Sequence, residues 1–212
     1  MDRQPGTLDQ QRWKELWSRL GAQGSGIPVF DQLASAYAKP ERAYHTAQHI
    51  RDCLAELDLN PRLAQFPDEV EAALWFHDAV YAPAAADNEE QSAALARSAL
   101  SSAGVLPERI TRIVNLILAT KHQTAPSTSD EQLICDIDLS ILGREPKLFE
   151  EFERLIRREY AWVPEPVYRS RRAALLSEFL RRPSIYQSPG FRERFEDRAR
   201  NNLGRLLAQL AG

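Results

Sequence analysis

The strongest constraint on this chain is a helical period that runs almost unbroken from Asp9 to Leu210. Apolar residues recur three and four apart, as at Trp13, Leu16, Trp17 and Leu20, a spacing that lines one face of an α-helix. Glycine and proline punctuate the period. Gly21 and Gly24 close a first segment (9–20), Pro28 opens a second that ends before Pro40, and Pro61 ends a third (46–59). Further segments are expected over 67–77, 88–103, 107–119, 129–142, 147–161, 165–182 and 189–210. Strand-like alternation appears nowhere over a useful length, and no fixed-period repeat stands out. The expectation is an all-α fold, with residues 1–212 forming one helical domain.

A chain of 212 residues with 43% hydrophobic side chains can bury a sizeable core, so it needs no disulfide or structural metal to fold. The net charge of -3 argues against a general nucleic-acid binder, which normally carries a basic face. Cys53 and Cys135 each sit inside a helical pattern and read as reduced core thiols. The polar N-terminus lacks the apolar run of a signal peptide, and no stretch is long and apolar enough to span a membrane. A cytoplasmic protein without membrane association is expected, and nothing in the sequence decides for or against a homo-oligomer.

Chemistry concentrates around four histidines. His45 and His49 lie four apart in YHTAQHI, so a helix would stack them on one face beside Ile50, Cys53 and Leu57. Such a pair can chelate a metal, or one ring can bind while the other handles protons. The plainer alternative is two half-buried, hydrogen-bonded imidazoles. His77 follows Val70, Ala73 and Leu74 at i+7, i+4 and i+3, a position where a core residue is expected. Leaving a buried polar group without a partner costs roughly 1–3 kcal/mol. Asp78 beside it calls for a cation even more. Asp138 shares a helical face with Ile134, Ile137 and Ile141, and a carboxylate in an apolar stripe pairs with a charge or holds a metal. An arginine salt bridge is the competing account. Asp136 falls on a less apolar side, as a supporting group or simply solvated.

Together these motifs resemble the HD superfamily of metal-dependent phosphohydrolases. Tyr44-His45-x-x-x-His49 is similar to the YHNxxH stretch of cyclic-nucleotide phosphodiesterases, with Thr46 in place of the usual Asn. Asp138-Leu139-Ser140 is similar to their DLS segment. The run YHTAQHI, WFHDAVY, DNEEQSA, ATKHQ and DIDLSILG resembles a bacterial HD-phosphohydrolase subgroup, over a motif core of about residues 42–143. The resemblance implies a single HD-type helical bundle with additional N- and C-terminal helices. It implies His49, His77, Asp78 and Asp138 as metal ligands and His45 as proton donor. Glu89, at a helix start after YAPAAAD, is implied as a base or water-orienting group; ordinary helix-dipole chemistry is its alternative. Asn88, Lys121, His122 and Arg42 are candidates for supporting or phosphate-binding roles.

Two imidazoles and two carboxylates suit a divalent Mn, Fe, Co, Ni or Zn ion, with Mg at a second site as a further option. The expected activity is hydrolysis of a phosphomonoester or phosphodiester, of a nucleotide or related small phosphate ester. The alternatives are a non-catalytic nucleotide-binding HD module acting as a sensor, and a helical scaffold with structural histidines and no metal.

Overall fold

The computed structural model describes residues 7–211; the sequence reading of residues 1–6 lies outside them. Among the described residues there are ten α-helices and no strand. The chain divides between Cys135 and Asp136 into two units.

The first unit holds α1 (Gln10–Arg19), α2 (Ile27–Tyr37), α3 (Ala47–Leu59), α4 (Pro67–Phe76), α5 (Asn88–Ser102), α6 (Pro107–Ala119) and most of α7 (Ser129–Asp138). Helix α4 is its axis and packs against α1, α3, α5 and α6. The apolar spacing predicts one buried face, yet every residue of α4 from Glu69 to Phe76 is buried. Two of them are acids. Glu69 accepts hydrogen bonds from Arg109 and Arg112 of α6, with the Arg109 Nε at 3.0 Å. Glu71 takes Arg12 and Arg19 of α1, each at 2.7 Å. Guanidinium pairs thus replace the water that both acids lose, and they tie α4 to helices on either side.

The N-terminus of α4 is closed from elsewhere in the chain. The Asp130 carboxylate accepts from the amides of Gln65 (2.6 Å) and Phe66 (2.9 Å), which precede Pro67. At the far end, Trp75 and Phe76 pack edge-on against Trp13, at ring separations of 5.2 and 5.9 Å. Trp13 itself donates to the carbonyl of Gly26 at 2.9 Å. Gly26 has φ +68°, and a Cβ there would lie 2.7 Å from the Trp17 ring, so this turn requires glycine.

The second unit comprises a 3₁₀ turn (Leu139–Gly143), α8 (Pro146–Glu159), α9 (Glu165–Arg181) and α10 (Pro189–Ala211). A single helix over 129–142 is expected from sequence. Instead α7 stops at Asp138 and the chain tightens into the 3₁₀ turn. Its carbonyls are taken by long-range donors: Tyr186 Oη to Leu139 (3.0 Å), Asn202 Nδ2 to Leu142 (2.9 Å) and Arg198 to Gly143 (3.2 Å). These side-chain bonds compete with continuation of the α-helical ladder.

Gly143 is pressed onto α10. An added Cβ would lie 2.5 Å from the Phe195 Cβ and 2.7 Å from its carbonyl oxygen. Gly143→Ala is expected to destabilise the protein by about 1–3 kcal/mol through overpacking. Chemical denaturation followed by circular dichroism measures this, and an unchanged midpoint would show that the close approach has no energetic weight.

Candidate metal centre

Three short segments of the first unit meet here: the start of α3, the end of α4 and the connection from α4 to α5. His45 does not begin a helix with His49, as its spacing suggests. It lies in the turn before α3, and Thr46 caps that helix by accepting from the Gln48 amide at 3.3 Å. Threonine here performs the capping that asparagine would also provide. The His45 and His49 rings remain neighbours, at 6.0 Å and nearly perpendicular. His45 is half-buried and stacks on Tyr81 at 4.2 Å, whereas His49 is buried under Tyr44 at 4.9 Å.

His77 is the C-cap of α4 and is buried. Its Nδ1 lies 3.0 Å from the Leu74 carbonyl, an acceptor, so this nitrogen carries the proton. The ring's Nε2 lies 3.1 Å from His49 Nε2 and 3.1 Å from Asp78 Oδ2. Asp78 Oδ2 is also 3.4 Å from His49 Nε2. Three donor atoms therefore form a triangle with edges of 3.1 to 3.4 Å. Ligands held about 2.0–2.1 Å from one ion stand roughly 3.0–3.4 Å apart, so the triangle fits the face of a metal polyhedron. Anchoring of the other ring nitrogen by a carbonyl is the usual support for a metal-binding imidazole. Burial opposes the charge of Asp78, but His77, His45 and His49 outweigh it and hold the carboxyl well below the usual range.

Cys53, read from sequence as an ordinary core thiol, borders the same group. It stands one turn after His49 on α3, and its Sγ is 3.8 Å from both ring nitrogens of His49. Donor atoms of His49, Cys53 and His77 all lie within 4.8 Å of one another. The sequence signal was available, since positions 49 and 53 share a helical face.

The backbone that carries His77 and Asp78 is held by polar clamps. Arg42 is buried and sends one nitrogen to the carbonyls of His45 (3.0 Å) and Asp78 (2.7 Å), and another to that of Ala79 (3.0 Å). Its guanidinium sits over the rings of Tyr37 and Tyr81, at 5.1 and 5.5 Å. The Ser92 hydroxyl accepts from the Val80 amide at 3.0 Å, and the Asn88 side chain bonds both the amide and the carbonyl of Ala82. Tyr37 donates to the Trp75 carbonyl at 2.9 Å.

Lys121 is ion-paired with Glu90. Glu89 is half-buried in the first turn of α5. His122 follows the end of α6 with φ 56°, a left-handed conformation uncommon outside glycine and asparagine. Asp138 is the last residue of α7 and half-buried, beyond the division into two units.

Of the two expected settings of Asp136, a supporting group or a solvated one, solvation does not hold. It is fully buried within the second unit and accepts from the amides of Gln187 and Ser188, both at 2.7 Å. Burial pushes its carboxyl above the usual range, against the pull of those amides. The Asp136 carboxylate thus fastens the segment leading into α10.

Replacing Arg42 by Lys removes the fork that spans three carbonyls, because an ammonium cannot reproduce its planar reach. Arg42→Lys is expected to lower the stability of the metal-free protein by about 2 kcal/mol. Urea unfolding tests this, and a loss too small to measure would mean that the clamp is dispensable. No family model, curated protein or solved structure matches this chain.

Proposed function

We propose that this protein is a metal-dependent phosphohydrolase acting on a phosphomonoester or phosphodiester, of a nucleotide or related small phosphate ester. The observation that supports this reading best is the triangle of His49 Nε2, His77 Nε2 and Asp78 Oδ2, with His77 Nδ1 held 3.0 Å from the Leu74 carbonyl. Imidazole and carboxylate donors suit a divalent ion of the Mn, Fe, Co, Ni or Zn group. Asp138 is assigned as a further ligand from its sequence position, one helical turn after the buried Ile134 on α7. The HD-like order of these residues along the chain supports the same assignment.

A bound divalent ion supplies Lewis acidity and neutralises charge beside a reacting phosphoryl group. The protein's own groups do the rest. His45 is half-buried, stacked on Tyr81 and next to His49, so its imidazole is oriented yet reachable. It serves as the general acid that gives a proton to the departing oxygen, a role typically worth a factor of roughly 10²–10⁴. Glu89, in the first turn of the helix after Asp78, is assigned to orient water. Arg42 keeps its guanidinium on backbone carbonyls and so acts by holding the His45, Asp78 and Ala79 backbone in register.

Purified full-length protein, stripped and reloaded with Mn, Co or Ni, is to be assayed against nucleotides, cyclic dinucleotides and sugar phosphates. Asp78→Ala is expected to abolish both activity and stoichiometric metal with helicity retained. His45→Ala is expected to reduce kcat by about 10²–10⁴ with metal content unchanged. Wild-type protein that holds less than about a tenth of an equivalent after reconstitution would sink the proposal in favour of a scaffold without metal. Stoichiometric metal and nucleotide binding without turnover would favour a sensor module.

A further inference from the structure

Two thiols occur in the chain, and their settings differ. Cys135 Sγ lies 3.3 Å from the Ala119 carbonyl and donates to it. Cys53 is only 2% exposed, and its sulfur lies beside the His49 ring and within 4.8 Å of a His77 ring nitrogen. Sγ stands 3.8 Å from His49 Nε2, the atom that also faces His77 and Asp78. An ion that holds sulfur at about 2.3 Å and imidazole nitrogen at about 2.0–2.1 Å in tetrahedral geometry keeps the two roughly 3.6 Å apart. The observed separation therefore agrees with a shared ion to within a few tenths of an ångström, with no rearrangement of α3.

We propose that Cys53 is a sulfur donor of this centre, and that the centre consequently selects a thiophilic borderline ion, zinc or cobalt, over magnesium or manganese. The inference rests on the metal-dependent reading above and sharpens it. Two imidazoles and one thiolate beside the carboxylates of the proposed centre form a mixed set in which nitrogen and sulfur outnumber oxygen. Such a set discriminates against ions that demand all-oxygen shells. The thiol proton passes to solvent when the sulfur coordinates. Helix α3 supplies both partners from one face, because residues four apart stack along the helix, so His49 and Cys53 approach an ion from the same side.

Cobalt(II) reports directly on sulfur ligation. Metal-free full-length protein is to be titrated with cobalt(II) and followed by absorption. The expected result is a near-ultraviolet thiolate-to-cobalt charge-transfer band that saturates at one equivalent. The band is retained in Cys135→Ser and lost in Cys53→Ser. Affinity for cobalt and zinc is expected to fall on the order of 10-fold or more in Cys53→Ser, with little change for manganese. Cobalt bound by the wild type with visible ligand-field bands alone would overturn the sulfur donor while leaving the nitrogen–oxygen centre intact. No cobalt bound at all would overturn the metal reading and this inference with it. The wild-type spectrum decides the question by itself, so the proposal does not depend on the variants folding.

Discussion

Burial of α4 on every side is the constraint from which the first unit follows. A helix without a wet face cannot roll or slide without breaking contacts all round it, and two of its buried residues are acids. Glu69 and Glu71 reach different helices, to the guanidinium groups of α6 and α1 respectively. Removing either acid's partners would strand a carboxylate in a dry setting, so these pairs specify which helices must lie beside α4. The C-terminus of this immobilised rod is His77. The position of the imidazole thus derives from packing that begins about two helical turns away.

The second level of organisation is backbone polarity. Past His77 the chain leaves the helix, and its carbonyls and amides need partners that no regular ladder supplies. Arg42, Tyr37, Ser92 and Asn88 provide them. They come from two stretches of sequence, residues 37–42 and 88–92, and all converge on residues 75–82. Preorganisation of the donor triangle therefore rests on hydrogen bonds to the main chain that carries it. Such support is what a site needs to hold electron-rich atoms against one another.

Much of the helical layout was legible from local rules, because proline and glycine mark ends by removing donors or permitting left-handed turns. Helix α6 runs from Pro107 to Ala119, as its punctuation predicts. Elsewhere the deciding forces were remote. The 3₁₀ turn at 139–143 depends on Tyr186, Asn202 and Arg198, far along the chain, and no local pattern announces them. Asp136 looked less apolar than its neighbours by spacing alone, yet amides near residue 187 make its burial tolerable. His77 and Asp78 were legible as polar residues out of place. Arg42 was visible only as one arginine among many, since a buried guanidinium is recognised by its acceptors and not by its flanks. Cys53 was legible as a neighbour of His49 on α3 but chemically ambiguous, because thiols serve equally well as small apolar residues.

The clasp at the root of the YAPAAAD segment carries one more implication. Asn88 bonds both main-chain groups of Ala82, so the excursion between them is closed at its base like a purse drawn tight. Changes of sequence or length at its tip are insulated from the imidazoles and carboxylate behind it. Evolution or an engineer can therefore rewrite that tip while the donor atoms stay where they are.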